Sequence, residues 1–308
     1  MSAAQAGTAV ADPRTRVDLA HSAKLHHQAQ VRSRLKEAVF HVLVLAVVAV
    51  VLYPAVWMVA SAFKPSAEIV GNVDIWPTHA SLDNFRKALA GIGGVSFWTF
   101  FQNSVLLAVG SVIGITASCS LTAYAFARIT FPGRDAFFVL MIGTLLLPFH
   151  VVIIPQYIVF NTLGLVNTFV PLLIGKFLAA DAFFVFLMVQ FMRNLPRELD
   201  EAARIDGAGH GRIFLSIMLP LMKPALVTSS IFAFIWSWND FFGPLLYLKS
   251  PGTYTLPIAL RLFVDQTSVS DYGAQMAMAV LALVPVLLFF LVFQRYLVEG
   301  VATQGLKG

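Results

Sequence analysis

Residues 104–126 read SVLLAVGSVIGITASCSLTAYAF, without one Asp, Glu, Lys or Arg. A helix that crosses a hydrocarbon layer of about 30 Å needs about 20 residues at a rise of about 1.5 Å each. This run is long enough and apolar enough to do so. It is too long for a buried strand. A membrane barrel would need an alternating pattern repeated in segments of about ten residues, and the sequence has none. Five more stretches have the same character: 39–62, 136–155, 169–192, 225–246 and 274–293. Composition agrees, with 58% apolar residues, 12% charged residues and a mean hydropathy of +0.78. Soluble domains carry about 45–50% apolar and about 25% charged residues. The predicted fold class is an all-α membrane protein with about six transmembrane helices.

The first stretch ends in Ala60-Ser61-Ala62, which looks like a signal-peptidase site. Its apolar run exceeds the roughly 7–15 residues of a signal sequence, and a long polar segment precedes it. It is read as an uncleaved span. Residues 1–36 are read as a poorly ordered tail, with His21, His26 and His27 solvated rather than holding a metal. Most Lys and Arg fall before the first span, in 128–134, in 193–223 and at the C-terminus. Such residues gather on the cytoplasmic side, so both termini are predicted to be cytoplasmic. This placement accounts for the net charge of +5 without a nucleic-acid partner. The single cysteine, Cys119, excludes an internal disulfide and reads as buried packing. His41, His150 and Cys119 are isolated, so no catalytic or metal-ligating constellation is expected.

The segment 194–224, NLPRELDEAARIDGAGHGRIFLSIMLPLMKP, is polar and lies between the fourth and fifth spans. Pro196 suits a first helical position, and Glu198, Asp200 and Glu201 put negative charge where the helix dipole favours it. Gly207 is placed to end that helix in a left-handed conformation. A second short helix from about Arg212 to Leu219 follows, broken by Pro220 and Pro224. Physically the elbow is either a solvated connector or a docking knob. In the second case Ala202 and Ala203 would admit a partner backbone closely, and Glu201 would offer it a carboxylate.

The same segment resembles the Glu-Ala-Ala loop of importer permeases in the ATP-binding-cassette (ABC) class. The pattern appears as Glu201-Ala202-Ala203, Gly207, Ile217 and Leu219-Pro220, with Asp206 and Ala208 completing a common variant. Phe234-Ile-Trp236-Ser-Trp238-Asn239-Asp240-Phe241 resembles the fifth span of maltose-type sugar permeases. Gly252-Thr-Tyr254-Thr-Leu256-Pro257 resembles their last external loop, and Arg295 to Gly300 with Gly305 to Gly308 resembles their tail. The likeness is nearest to the G-like subunit of such pairs, and it does not extend to the long N-terminal segment.

The resemblance implies a cytoplasmic tail over 1–36 and a permease domain over 37–308, with a coupling loop at 194–220 seated on an ATPase. Glu201, Ala202, Ala203, Asp206, Gly207 and Ala208 would be the coupling residues. It also implies a second permease subunit, an ABC ATPase dimer that binds ATP and Mg, and an extracytoplasmic sugar-binding protein. No cofactor is expected in this chain. Trp236, Trp238, Asn239 and Asp240 are candidates for lining the sugar pathway, since they offer stacking faces, an amide and a carboxylate. Lys176 and Asp181 are five residues apart, about 140° around an unbroken helix, so they are expected to find separate partners. Gly110, Gly114 and Ser118 form a small-residue face suited to close helix packing. A permease for a non-sugar solute and an ion-coupled secondary transporter are the alternatives. The latter would favour inverted repeats and midplane acids, which the sequence does not show.

Overall fold

The computed structural model describes residues 13–264 and 270–305, with side chains described for 34–148, 151–264 and 270–294. The chain divides into two compact units, 1–57 and 58–308. The first is dominated by helix α1 (Pro13–Ser61). Within the N-terminal segment read as a tail, the backbone is helical from Pro13 onward, while residues 1–12 and the side chains of His21, His26 and His27 lie outside the described residues. Along α1 the side chains from Val39 to Val51 are exposed wherever they are large and apolar.

In the second unit the chain runs through α2 (Ser66–Ile69), α3 (Asp83–Ala90), α4 (Phe97–Arg128), α5 (Arg134–Thr144), α6 (Phe149–Thr162), α7 (Val170–Phe177) and α8 (Ala182–Arg193). It continues through α9 (Glu198–Ile205), α10 (His210–Ile213), a π turn (Phe214–Met218), α11 (Leu219–Leu221), α12 (Lys223–Asn239), α13 (Phe242–Tyr247), α14 (Leu256–Leu262) and α15 (Tyr272–Gly305). No strand occurs among the described residues. Helix α4 is the mast of this unit. Ser96 caps it by accepting the Trp98 N–H at 3.1 Å. It packs on α7, α8 and α12.

Four helices are long and apolar enough to cross a membrane, or five if one bent pair counts as a span, among the described residues. The sequence predicts about six. The predicted span not counted among them is 136–155, which the structure divides into α5 and α6. Pro148 is extended (φ −60°, ψ 127°) at the break, and a proline drives the residue before it away from helical geometry. The span at 169–192 is also interrupted, between α7 and α8, where Ala179 adopts a left-handed φ of 53°.

Two buried clusters organise the unit. One joins Tyr124, Met188, Met192, Ile213, Met218 and Met222 at the elbow end. The other joins Phe97, Phe100, Trp238, Leu256 and Met278. Each fully buried large apolar side chain contributes roughly 1.5–3 kcal/mol. Near the second cluster, Asp271 closes a polar clip. It accepts from Ser66 Oγ at 2.8 Å and from Lys87 Nζ at 2.7 Å. Burial pushes its carboxyl up, but Lys87, the Ala274 N–H and Ser66 together outweigh that and hold it below the usual carboxylate range. Residues 265–269 of the expected external loop lie outside the described residues.

Candidate functional site

The elbow begins with α9. Glu198, Asp200 and Glu201 occupy its first turn, two residues later than Pro196 alone suggests. It ends where expected. Gly207 has φ +79°, with open space where a Cβ would stand, so its backbone angle rather than crowding is what requires glycine. The Ala208 N–H bonds Ala203 O at 2.9 Å and the Gly207 N–H bonds Arg204 O at 3.0 Å, which satisfies the last carbonyls. The chain then turns through α10, the π turn and α11, and α12 departs at 75°.

One side of the elbow is built into the spans. Ala203, Ile213, Phe214 and Met218 are buried among Tyr124 and Ala127 of α4 and Met188 and Met192 of α8. The Arg128 guanidinium pairs with Asp200 at 3.2 Å, their side chains 2% and 9% exposed. The same Arg128 donates to the carbonyls of Met192 at 2.9 Å and Leu195 at 2.8 Å. One guanidinium thus ties the end of α4, the end of α8 and the elbow together. Tyr124 Oη lies 3.1 Å from His210 Nδ1 and adds a second tie.

The other side is open. Glu201, Ala202, Arg204, Asp206 and Gly207 are exposed, and Ile205 is 86% exposed at the tip. The two alanines therefore divide: Ala202 faces out, whereas Ala203 packs inward. Ala208 is half-buried.

A second feature lies between the spans. A cavity of about 370 Å³ is lined by Ser111, Lys176, Trp236, Ser237, Asn239 and Asp240, among others. Trp236 is braced by Phe183 and Phe184, with ring centroids 5.1 and 5.3 Å away, and stays half exposed. Asn239 Nδ2 bonds Ile235 O at 2.8 Å, which leaves its amide oxygen free of that bond. Asp240 caps the end of α12 and accepts the Gly243 N–H at 3.1 Å. Ser111 Oγ donates to Ser237 Oγ at 3.1 Å. Trp238 stands apart from the other three pathway candidates. It is buried against Phe101 and Phe234, and its Nε1 donates to Ala282 O at 3.2 Å.

Lys176 and Asp181 do not find separate partners. Their side chains pair at 2.8 Å, because the left-handed Ala179 ends α7 and brings Asp181 back alongside it. The small-residue face of α4 supports this break. Ser118 Oγ donates to Lys176 O at 2.7 Å and accepts the Ala179 N–H at 3.2 Å. At Gly114 an added Cβ would lie 2.9 Å from Phe177 and 3.0 Å from the Lys176 backbone.

The family described as "Binding-protein-dependent transport system inner membrane component" matches residues 110–303, which include both features. The chain belongs to this family. It is an inner-membrane permease of the ABC importer class, a multi-pass protein. It is similar to the arabinooligosaccharides transport permease AraQ of Halalkalibacterium halodurans, 35% identical over 84% of this chain and 92% of that one. It is also similar to the diacetylchitobiose uptake permease NgcG of Streptomyces coelicolor, 33% identical over 92% of each chain. The fold resembles a crystal structure of a bacterial ABC transporter that imports the acidic polysaccharide alginate. There the TM-score is 0.76, at 24% identity, covering 85% of this chain and 96% of that chain.

Within the permease, sequence reasoning singles out the outer face of the elbow and misses its inner anchors, Arg128, Tyr124 and His210. Asp200 is noticed only as a first-turn charge. An Arg ending an apolar run is an ordinary cytoplasmic flank, so nothing local distinguishes Arg128.

Proposed function

We propose that this permease forms half of the pathway of an ATP-driven oligosaccharide importer, and that α9 is the helix through which a partner ATPase acts on the spans. The carrying observation is the two-sided elbow. Asp200 and Ala203 bind it to α4 and α8, while Glu201, Ala202 and Ile205 are left open. A partner pressing on the open side would move the spans with it. These 308 residues contain no G-x-x-x-x-G-K-[ST] phosphate loop, so the ATP and Mg chemistry is assigned to another polypeptide. A second permease would complete the pathway, and an extracytoplasmic binding protein would deliver the sugar. The Lys and Arg distribution supports a cytoplasmic position for both termini. Switching between inward-open and outward-open states around the cavity is the two-state change this scheme requires.

The cavity supports a sugar cargo. A half-exposed indole, an amide, a carboxylate and hydroxyls line it, which matches the apolar faces and hydroxyl edges of a pyranose ring. The names of the relatives point the same way.

The test is co-expression with the neighbouring permease and a candidate ATPase, followed by purification and uptake. Gly207→Pro forces φ to about −65° where the backbone needs +79°, and it should release the ATPase. Glu201→Lys should leave the complex assembled and abolish uptake. Recovery of the ATPase with Gly207→Pro, together with unchanged uptake by Glu201→Lys, would overturn the docking role.

A further inference from the structure

We propose that this permease holds the phosphate of an anionic phospholipid headgroup in an arginine-lined cavity beside the elbow. The cavity has a volume of about 420 Å³ and is lined by Arg128, Arg134, Arg193 and Arg197, with Asp135 as its one acidic lining residue. It lies where the end of α4, the start of α5 and the end of α8 meet.

The charges do not cancel. Arg128 is matched by Asp200 at 3.2 Å and Arg134 by Asp135 at 3.0 Å. Arg193 and Arg197 have no ion-pair partner among the described residues. Arg193 lies over the Phe138 ring, 4.7 Å from its centroid. A cation–π contact of this kind does not use up the guanidinium N–H donors, and no side-chain hydrogen bond or ion pair of Arg193 occurs among the described residues. Helix α5 starts at this cavity with no side chain capping its first N–H groups, which adds partial positive charge. A group with several acceptor oxygens and at least one negative charge answers all of these donors, and a phosphate is such a group.

A phosphate could come from a lipid or from solution, and the surroundings favour the lipid. One turn into α5, next to Arg134, Phe137 and Leu140 are 59% and 69% exposed. They offer an exposed apolar face along α5 on which an acyl chain can lie. Basic pockets between transmembrane helices at the cytoplasmic face are suited to anionic headgroups. The inference rests on the importer reading only in placing this end of the molecule at a membrane face.

The experiment is native mass spectrometry of the delipidated permease complex. It would be titrated with phosphatidylglycerol, with phosphatidylcholine of the same chains, and with inorganic phosphate as competitor. Wild type should retain phosphatidylglycerol at least about tenfold more tightly than phosphatidylcholine. Arg193→Gln with Arg197→Gln should erase that preference. The single exposed variant Arg197→Glu should weaken it, and serves if the double variant fails to fold. Equal retention by wild type and the variants would overturn the site. Full displacement by millimolar phosphate would overturn the lipid as its source. ATPase recovery is scored in the wild-type sample, so failure of wild type to hold the ATPase while it keeps the lipid preference would count against the docking reading alone.

Discussion

Asp200 and Arg128 come from different elements, and their pairing is what makes α9 part of the membrane unit. A buried ion pair adds little net stability compared with apolar replacements, but breaking one costs about 3–5 kcal/mol because the surviving charge stays buried. Asp200→Asn alone should therefore destabilise the purified permease by several kcal/mol. Arg128→Met combined with Asp200→Leu should remove the stranded charge but leave the Met192 and Leu195 carbonyls without their donor, so thermal unfolding should show only part of that loss recovered, while the elbow, no longer tied, should couple poorly. Asp271 offers a contrasting case at a wetter site. Its carboxyl is held below the usual carboxylate range, so it stabilises the fold above the unfolded value of about 3.9. That contribution is lost as pH falls through the lower folded value. Asp271→Asn should cost less than about 1 kcal/mol at pH 7, since Lys87 is largely exposed and salt screens such pairs. The difference from wild type should start to shrink as pH falls below about 3.9 and vanish only below the lowered folded value, as followed by hydrogen exchange at α2 and α3. The outer half of the coupling motif was legible because its residues share one short helix, where spacing alone fixes position. The inner half was not, because a long-range ion pair leaves no periodic trace.

At the scale of elements, the departures from expectation are breaks in helices. A period of 3.6 residues places Lys176 and Asp181 on different faces only if the helix continues. It stops at Ala179, in a conformation that costs an L-residue roughly 1–2 kcal/mol and that no Gly, Asn or Pro in Phe177-Leu178-Ala179-Ala180 announces. Tertiary contact holds it there: Ser118 accepts the Ala179 N–H, and Gly114 admits the Lys176 backbone. The small-residue face that made this possible was visible in the sequence, but the break it supports was not. Gly114→Leu should wedge α7 away from α4, at about 1–3 kcal/mol for overpacking of a tight contact. A chemical-denaturation midpoint would report it. Retention of wild-type stability would mean that α7 can slide without losing its grip on α4.

Across the whole permease unit, the elbow and the cavity share one packed body. Ile115, Phe184 and Ala233 line the cavity and also belong to the cluster that buries Ile213, Met218 and Met222 of the elbow region. A tightly packed interior shifts between discrete arrangements rather than yielding smoothly, so movement of the elbow should reach the cavity wall through this cluster. The second cluster, around Leu256 and Met278, takes no part in that connection. Met218 and Leu256 are both fully buried, and truncating either to alanine should cost about 2–5 kcal/mol. Similar losses of stability should then have different consequences. In a reconstituted transporter, Met218→Ala should lower the sugar moved per ATP hydrolysed, because a void in the shared cluster lets the elbow move without the wall. Leu256→Ala should leave that ratio near wild type while lowering the melting temperature comparably. Equal losses of the ratio in both variants would show that coupling follows overall stability. An unchanged ratio in Met218→Ala would mean that the backbone ties through Arg128 carry the motion without the packed side chains.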